Sequence, residues 1–246
     1  MIIKNYFKIT VRQLWRNPAY TVICVVGLAI GLAVAMVALS YSIRELKWEK
    51  CHVNHERIHR VEVQYHHADT TWRSARVMGP LGAALVEQIP GVEQAAVFRH
   101  RSDVALKLGT KTYQAGNLIF AGPEFFDVFS FELERGRLGA LEEPNTVLIS
   151  DSIARVYFPG DDPIGKTITL DKQYELAVQG VLKDTPPLTQ LHCDFIASYA
   201  TLRSAGKDVD SWTESHRDLT YVLLDETADA EAIESQVGAV FSRHVP

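Results

Sequence analysis

No charged side chain occurs between Ala19 and Ile43, a stretch of twenty-five residues. At about 1.5 Å of rise per residue that segment makes a helix roughly 37 Å long, enough to cross a ~30 Å hydrocarbon core with some tilt. Such a length excludes an ordinary soluble core helix. Acids are missing too from the sixteen residues that open the chain, whose only charges are Lys4, Lys8, Arg12 and Arg16. Cysteine is scarce, with Cys24 inside the apolar run and Cys51 and Cys193 beyond it. Two residues make no disulfide framework, although Cys51 and Cys193 can pair in an oxidising compartment; two unpaired, half-buried thiols are expected. The chain has no low-complexity segment, no Ser/Gly linker and no acidic tail. It also lacks the G-x-S-x-G pattern of a nucleophile elbow.

The four opening cations recur every four residues and so share one face of a short helix, with Ile3, Phe7, Val11, Leu14 and Trp15 on other sides. Such a helix lies on a membrane surface with its cations among anionic headgroups, and Lys4, Lys8, Arg12, Arg16 and Trp15 are the expected interface residues. After the span, Arg44, Glu45, Lys47, Glu49 and Lys50 are mixed in sign. The positive-inside bias then puts the N-terminus in the cytoplasm and the remaining two hundred residues outside it. A cleaved signal peptide would carry a shorter apolar core of ~7–15 residues and a small-x-small site after it. Tyr41, Ile43 and Arg44 stand where that site belongs.

The net charge of −5 hides a split. Without the four N-terminal cations, 21 basic residues face 30 acidic ones, a balance of −9. An acidic exterior argues against nucleic acid as a partner and against a second headgroup-binding surface. Its length suits one domain with two lobes, or two small domains.

Along that exterior, Ile58, Val61, Val63 and Tyr65 nearly alternate and predict a strand leaving the membrane. Leu81, Leu85 and Ile89 have helical spacing and meet a stop at Pro90-Gly91. Val92–Phe98 predicts a second strand, residues 104–108 and 112–114 a hairpin around Gly109, and Leu118–Phe120 another extended piece. Glu124–Phe131 carries four phenylalanines and reads as a core-forming turn. Val147–Ile149 predicts a strand, with Asp151 as the cap of a helix running to Phe158. A hairpin over 168–170 and 176–181, a strand at Thr220–Leu224 and an amphipathic helix over Asp229–Phe241 complete the series. Strands and helices mix without strict alternation, so the fold class is α+β: one N-terminal transmembrane helix followed by a two-lobed mixed α/β extracytoplasmic domain. The expected boundaries are 1–18 for the cytoplasmic amphipathic helix, 19–46 for the span and 47–246 for the exterior domain.

Two motif matches fail on physical grounds. Residues 160–167, G-D-D-P-I-G-K-T, satisfy the P-loop pattern letter for letter. A P-loop cradles phosphates with backbone N–H groups where a strand turns into a helix. Here Pro163 lacks one donor, Asp161 and Asp162 repel phosphate, and the helix precedes while the strand follows. A turn is expected. His55-Glu56-Arg57-Ile58-His59 satisfies the H-E-x-x-H pattern of zinc proteases, which needs a helix to bring its histidines together. Strand alternation beginning at Ile58 splays them instead, Glu62 stands where the extended pattern needs glycine, and a third ligand such as Glu87 has no support. With His52, His66 and His67 nearby, a solvated histidine cluster is expected, with no metal, cofactor or catalytic residue.

Taken in order, several motifs resemble those of the MacB/FtsX-type ABC transporter permeases. The lead-in Lys4-Asn5-Tyr6-Phe7-Lys8 with Leu14-Trp15-Arg16-Asn17 is similar to the family's cytoplasmic helix, and Gly27-Leu28-Ala29-Ile30-Gly31 to its first transmembrane helix. Glu45-Leu46 and Arg57-Ile58-His59-Arg60-Val61 resemble the exit and the first periplasmic strand. Residues 125–131, 144–147, 158–160, 162–166 and 180–184 continue the order. Glu49 and Cys51 depart from the aspartate and phenylalanine common in the family. The resemblance implies a MacB-like periplasmic core domain in the bacterial inner membrane, without enzyme activity of its own. It implies a separate cytoplasmic ABC ATPase, a second permease unit, a periplasmic adaptor and force transmission across the membrane. Gly27 and Gly31, four apart, match small-xxx-small helix packing. The family's later spans fall outside these 246 residues, so a fragment of a permease or a truncated product is expected. A membrane-anchored sensor or adaptor that binds a ligand without transport is the alternative.

Overall fold

The computed structural model describes residues 12, 14–46, 52–67, 70–114, 116–185, 189, 191–213 and 216–245. The chain divides into two compact units, residues 1–48 and 49–246. Lys4, Lys8, Glu49 and Cys51 lie outside the described residues.

The first unit holds one long helix, α1, spanning Pro18–Leu46. Proline opens it because a first-turn residue has no intrahelical partner for its N–H. The stretch Pro18–Ser42 is long and apolar enough to cross a membrane, and none of it is buried within the protein. A soluble core helix would be covered; this one shows its apolar side chains on every face.

The second unit is built on a sheet of twelve strands among the described residues. Its elements in chain order are β1 Ile58–Arg60, β2 Val63–His67, β3 Thr70–Ser74, β4 Arg76–Val77, α2 Leu81–Gln88, β5 Val92–Arg101, β6 Ala105–Leu108, β7 Lys111–Gln114 and β8 Leu118–Ala121. Then come α3 Phe125–Val128, β9 Leu133–Gly136, a 3-10 turn Leu138–Glu142, β10 Thr146–Ser150, α4 Asp151–Tyr157, β11 Thr167–Leu170 and β12 Tyr174–Leu182. The last are β13 Phe195–Ser198, α5 Ala200–Ser204, β14 Asp218–Leu224 and α6 Ala230–His244. Sheet order is β1-β14-β5-β8-β13-β10-β12-β11-β6-β7, with β4 added on β14 and β9 on β12. β2 and β3 pair only with each other.

The centre of the sheet is buried on both faces, and the sequence shows why. β8 reads Leu-Ile-Phe-Ala, β10 Thr-Val-Leu-Ile-Ser and β13 Phe-Ile-Ala-Ser, all buried throughout. Side chains alternate across a strand, so Leu118, Phe120, Val147, Ile149, Phe195 and Ala197 fill one core. Ile119, Ala121, Leu148 and Ile196 fill a second with Phe98, Phe125 and Phe129. Continuous apolar strands suit parallel pairing between covering layers. β8 with β13 and β10 with β12 are indeed parallel.

A third core packs α2 and α6 on β5 and β14 through Leu81, Leu85, Val92, Val222, Ile233 and Val240. The α+β class expected from the sequence is present, and one continuous sheet, not a linker, joins the two ends of the domain. The predicted strand from Ile58 to Tyr65 is broken at Val61-Glu62. β1 pairs with β14 while β2 turns away into its own hairpin with β3. The helix before Phe158 also starts differently. Its N-cap is Ser150, whose hydroxyl accepts from the Ile153 N–H, and Asp151 is the first helical residue. Both types cap well; the end of β10 fixes which one has the extended backbone that a cap requires. A cap of this kind contributes about 1 kcal/mol.

Candidate membrane anchor and cleft

Two hydroxyls of the anchor are satisfied by its own backbone. The Thr21 hydroxyl donates to the carbonyls of Leu14 and Asn17 at 2.9 and 3.0 Å, and the Ser42 hydroxyl donates to Ala38 at 3.0 Å. Internal satisfaction of this kind is what a lipid environment demands. Trp15 is 84% exposed beside the exposed Arg16, and Arg12 is exposed one turn earlier. A tryptophan with cations at a helix entrance is the pattern of an interfacial anchor. A Cβ placed on Gly27 or Gly31 would meet nothing within 4 Å, so both glycines face open space.

The match at residues 160–167 takes the form of a turn, as expected. Around residues 160–167 four of the backbone donors are already spent. Asp161 N–H bonds to the Phe158 carbonyl, Gly165 N–H to Val178 and Lys166 N–H to Pro163, while Ile164 N–H bonds to the Asp162 carboxylate. Gly160 and Gly165 hold φ of 79° and 81°, which glycine reaches freely. Lys166 Nζ sits 2.8 Å from Asp161 and over the Phe158 ring. Helix α4 precedes this turn and β11 follows it, the reverse of a phosphate cradle. His55 and His59 lie on a turn and a strand, not on one helix face, and the solvated cluster expected around them fails at His52, which is buried with its ring against Phe129 and Phe131.

Near that turn, Asp184 after β12 ties down the start of α4. Its carboxylate accepts from the Ser152 N–H and hydroxyl, both at 2.7 Å, and from Arg155 at 2.8 Å. Burial works to raise its pKa, but the Ser152 bonds and the Arg155 charge outweigh it and hold the carboxyl below its ordinary value. A depressed carboxylate lends stability above its unfolded pKa, and that stability is lost as pH falls through the lower folded value. Asp184→Asn is expected to flatten this acid-side loss, read as a smaller drop in melting temperature between neutral and acidic buffer.

One buried ion pair was not visible in the sequence. Arg99 on β5 clamps Asp218 on β14 with two bonds of 2.8 Å. The arginine is 8% exposed and the aspartate fully buried. Burial opposes the guanidinium's charge, and the Asp218 carboxylate more than restores it. The neighbouring Tyr199 phenol is pushed up first by burial and then by the Asp218 charge, so it stays protonated. Cys193 is buried rather than half-buried, donates to the Leu191 carbonyl, and has its thiol pushed up by desolvation. Such a thiol is unreactive. Cys24 is free and exposed on α1.

A cleft of about 300 Å³ opens beside β1, lined by His52, His55, Ile58, Arg60, Phe129, Leu191 and Tyr221. Rings brace its wall, with His52 edge-on to Phe129 at 5.2 Å and Phe129 edge-on to Tyr221 at 5.3 Å.

The profile of the MacB-like periplasmic core domain matches residues 21–240. This chain belongs to that family. The MacB-like domain has solved counterparts. A domain of a putative permease from Porphyromonas gingivalis superposes with a TM-score of 0.69 at 26% identity, covering 80% of this chain and 85% of that one. The periplasmic region of MacB from Actinobacillus actinomycetemcomitans shares the fold with a TM-score of 0.54 at 21% identity, over 68% and 74% of the two chains. The extracellular domain of the noncanonic ABC-type transporter YknZ from Gram-positive bacteria does so at 0.53 and 17%, over 75% and 91%. In sequence, the macrolide export ATP-binding/permease protein MacB of Aggregatibacter actinomycetemcomitans is 32% identical over 83 residues, 32% of this chain. The match covers only 13% of that relative's length. Family membership makes the folded unit a MacB-like periplasmic core domain. Together with α1 it indicates an inner-membrane protein with a periplasmic domain.

Proposed function

We propose that this chain is the anchored periplasmic part of an ABC-type permease that carries movement, not chemistry, across the inner membrane. Its N-terminus is cytoplasmic, with residues 1–18 on the inner surface, 19–46 crossing the bilayer and 47–246 in the periplasm. ATP is hydrolysed on a separate cytoplasmic subunit, and the membrane helices pass the resulting shift to the folded domain. A second permease unit completes the assembly, with Gly27 and Gly31 giving α1 a surface for close helix approach. A periplasmic adaptor is the outer partner.

The observation that carries this reading is an uncovered apolar helix with unbalanced cations before it and a MacB-like domain after it. Domain rigidity supports it as well. A sheet whose centre is buried on both faces and whose strands β5 and β14 are tied by a buried ion pair moves as a body, because packed interiors do not deform continuously. The test is co-purification of the tagged native permease from membranes. An ATP-hydrolysing subunit in stoichiometric amount is the expected result; a membrane protein recovered alone under mild detergent, together with normal ATPase complexes in cells deleted for it, would contradict the proposal.

A further inference from the structure

The cleft beside β1 has a chemistry at odds with the acidic domain around it. Its polar lining includes two donors, beside His55, whose Nδ1 donates to the His52 carbonyl at 3.2 Å. Arg60 brings a guanidinium with five N–H groups and no acceptor, held in place by the Glu62 carboxylate. His52 Nδ1 lies 3.2 Å from the Ser130 backbone N–H, which can only donate. The proton of the neutral His52 ring therefore sits on Nε2, making that edge a donor. Between these polar groups the lining is apolar: Ile58, Phe129 and Leu191, with the ring of Tyr221.

We propose that this cleft binds the anionic end of an amphiphile, a phosphate or carboxylate carried on an apolar chain. The guanidinium suits a two-pronged contact with oxyanions, and the aliphatic and aromatic wall takes the first carbons of the chain. At about 300 Å³ the space is at the small end of ligand sites, fitting a headgroup and its first methylenes rather than a whole lipid. The bracing of His52 by Phe129 and of Phe129 by Tyr221 fixes the wall before any ligand arrives, which lowers the cost of binding.

This inference needs no ATPase and no second permease unit, so it stands or falls apart from the function proposed above. Full-length chain in phosphatidylcholine nanodiscs is titrated with hexyl phosphate by ligand-observed NMR, empty discs serving as background. Saturable binding is expected, with inorganic phosphate and hexanol each at least about tenfold weaker, since one loses the apolar wall and the other the charge-assisted bonds. Arg60→Gln is expected to weaken hexyl phosphate about tenfold or more at an unchanged melting temperature. Ile58→Trp, which fills the cleft, is expected to abolish binding; should that variant fail to fold, Arg60→Gln decides alone. Competition by phosphatidylglycerol discs identifies the bilayer as the source of the ligand, and equal binding in both disc types identifies a free molecule; either outcome sustains the site. Absence of saturable binding, or equal affinity in wild type and Arg60→Gln, overturns it.

Discussion

Asp218→Ala is expected to destabilise the folded domain by about 3–5 kcal/mol, the cost of leaving one member of a buried charge pair without its partner. Arg99 cannot escape by losing its proton, because a guanidinium remains charged at any pH a protein survives. Nor can it readily turn outward, since it is 8% exposed and held between β5 and β14. Those two strands share the longest antiparallel register in the sheet, from Leu219 opposite Phe98 to Leu224 opposite Val92. The damage therefore falls where α2 and α6 also rest. Replacing both partners by apolar residues is expected to restore much of the loss, as buried pairs often exchange for hydrophobic contacts at little net cost. Urea unfolding of the single and double variants measures both effects. An Asp218→Ala midpoint equal to wild type would remove the pair from the account of how the domain is held rigid.

The second large effect is on orientation. Replacing Lys4, Lys8, Arg12 and Arg16 by glutamine is expected to turn a uniform topology into a mixed or inverted one. Cations act on topology chiefly in short flanking segments, while long domains cross largely regardless of their charge. The N-terminal tail is short and counted; the folded domain is long and exempt. Without the four cations, Arg44, Lys47 and Lys50 become the nearest basic residues to the span and favour the opposite arrangement. Protease protection of a tag at each terminus reads the outcome. A topology untouched by the fourfold change would show that something other than these cations orients the helix.

What the sequence made legible was local. A charge-free run announces α1, residues 92–98 and 176–181 read as strands, and Pro90-Gly91 marks the end of α2. Refusing the two motif matches needed only the order of helix and strand around them. Long-range pairing was hidden, because nothing in a strand's own residues names its neighbour. β13 carries four buried residues in a short apolar run, and it could have been read as a core strand from that run alone. That β8 lies parallel to it is set by the packed layers on either face. The split of the first predicted strand into β1 and β2 also eluded a periodicity reading, since alternation continues from Val61 to Val63 while the pairing partner changes. Arg99 and Asp218, 119 positions apart, look like ordinary surface charges until the sheet is assembled. The cleft was concealed for the same reason: Arg60, Phe129, Leu191 and Tyr221 come from four distant stretches.

The most direct test of the central claim is labelling of a cysteine at position 86 in intact cells. Val86 lies on α2 and is 38% exposed, and Cys24, Cys51 and Cys193 would first be replaced by alanine. A membrane-impermeant maleimide admitted only to the periplasm is predicted to label Val86→Cys fully before lysis. Labelling that occurs only after the inner membrane is opened would place the folded domain in the cytoplasm and contradict the account.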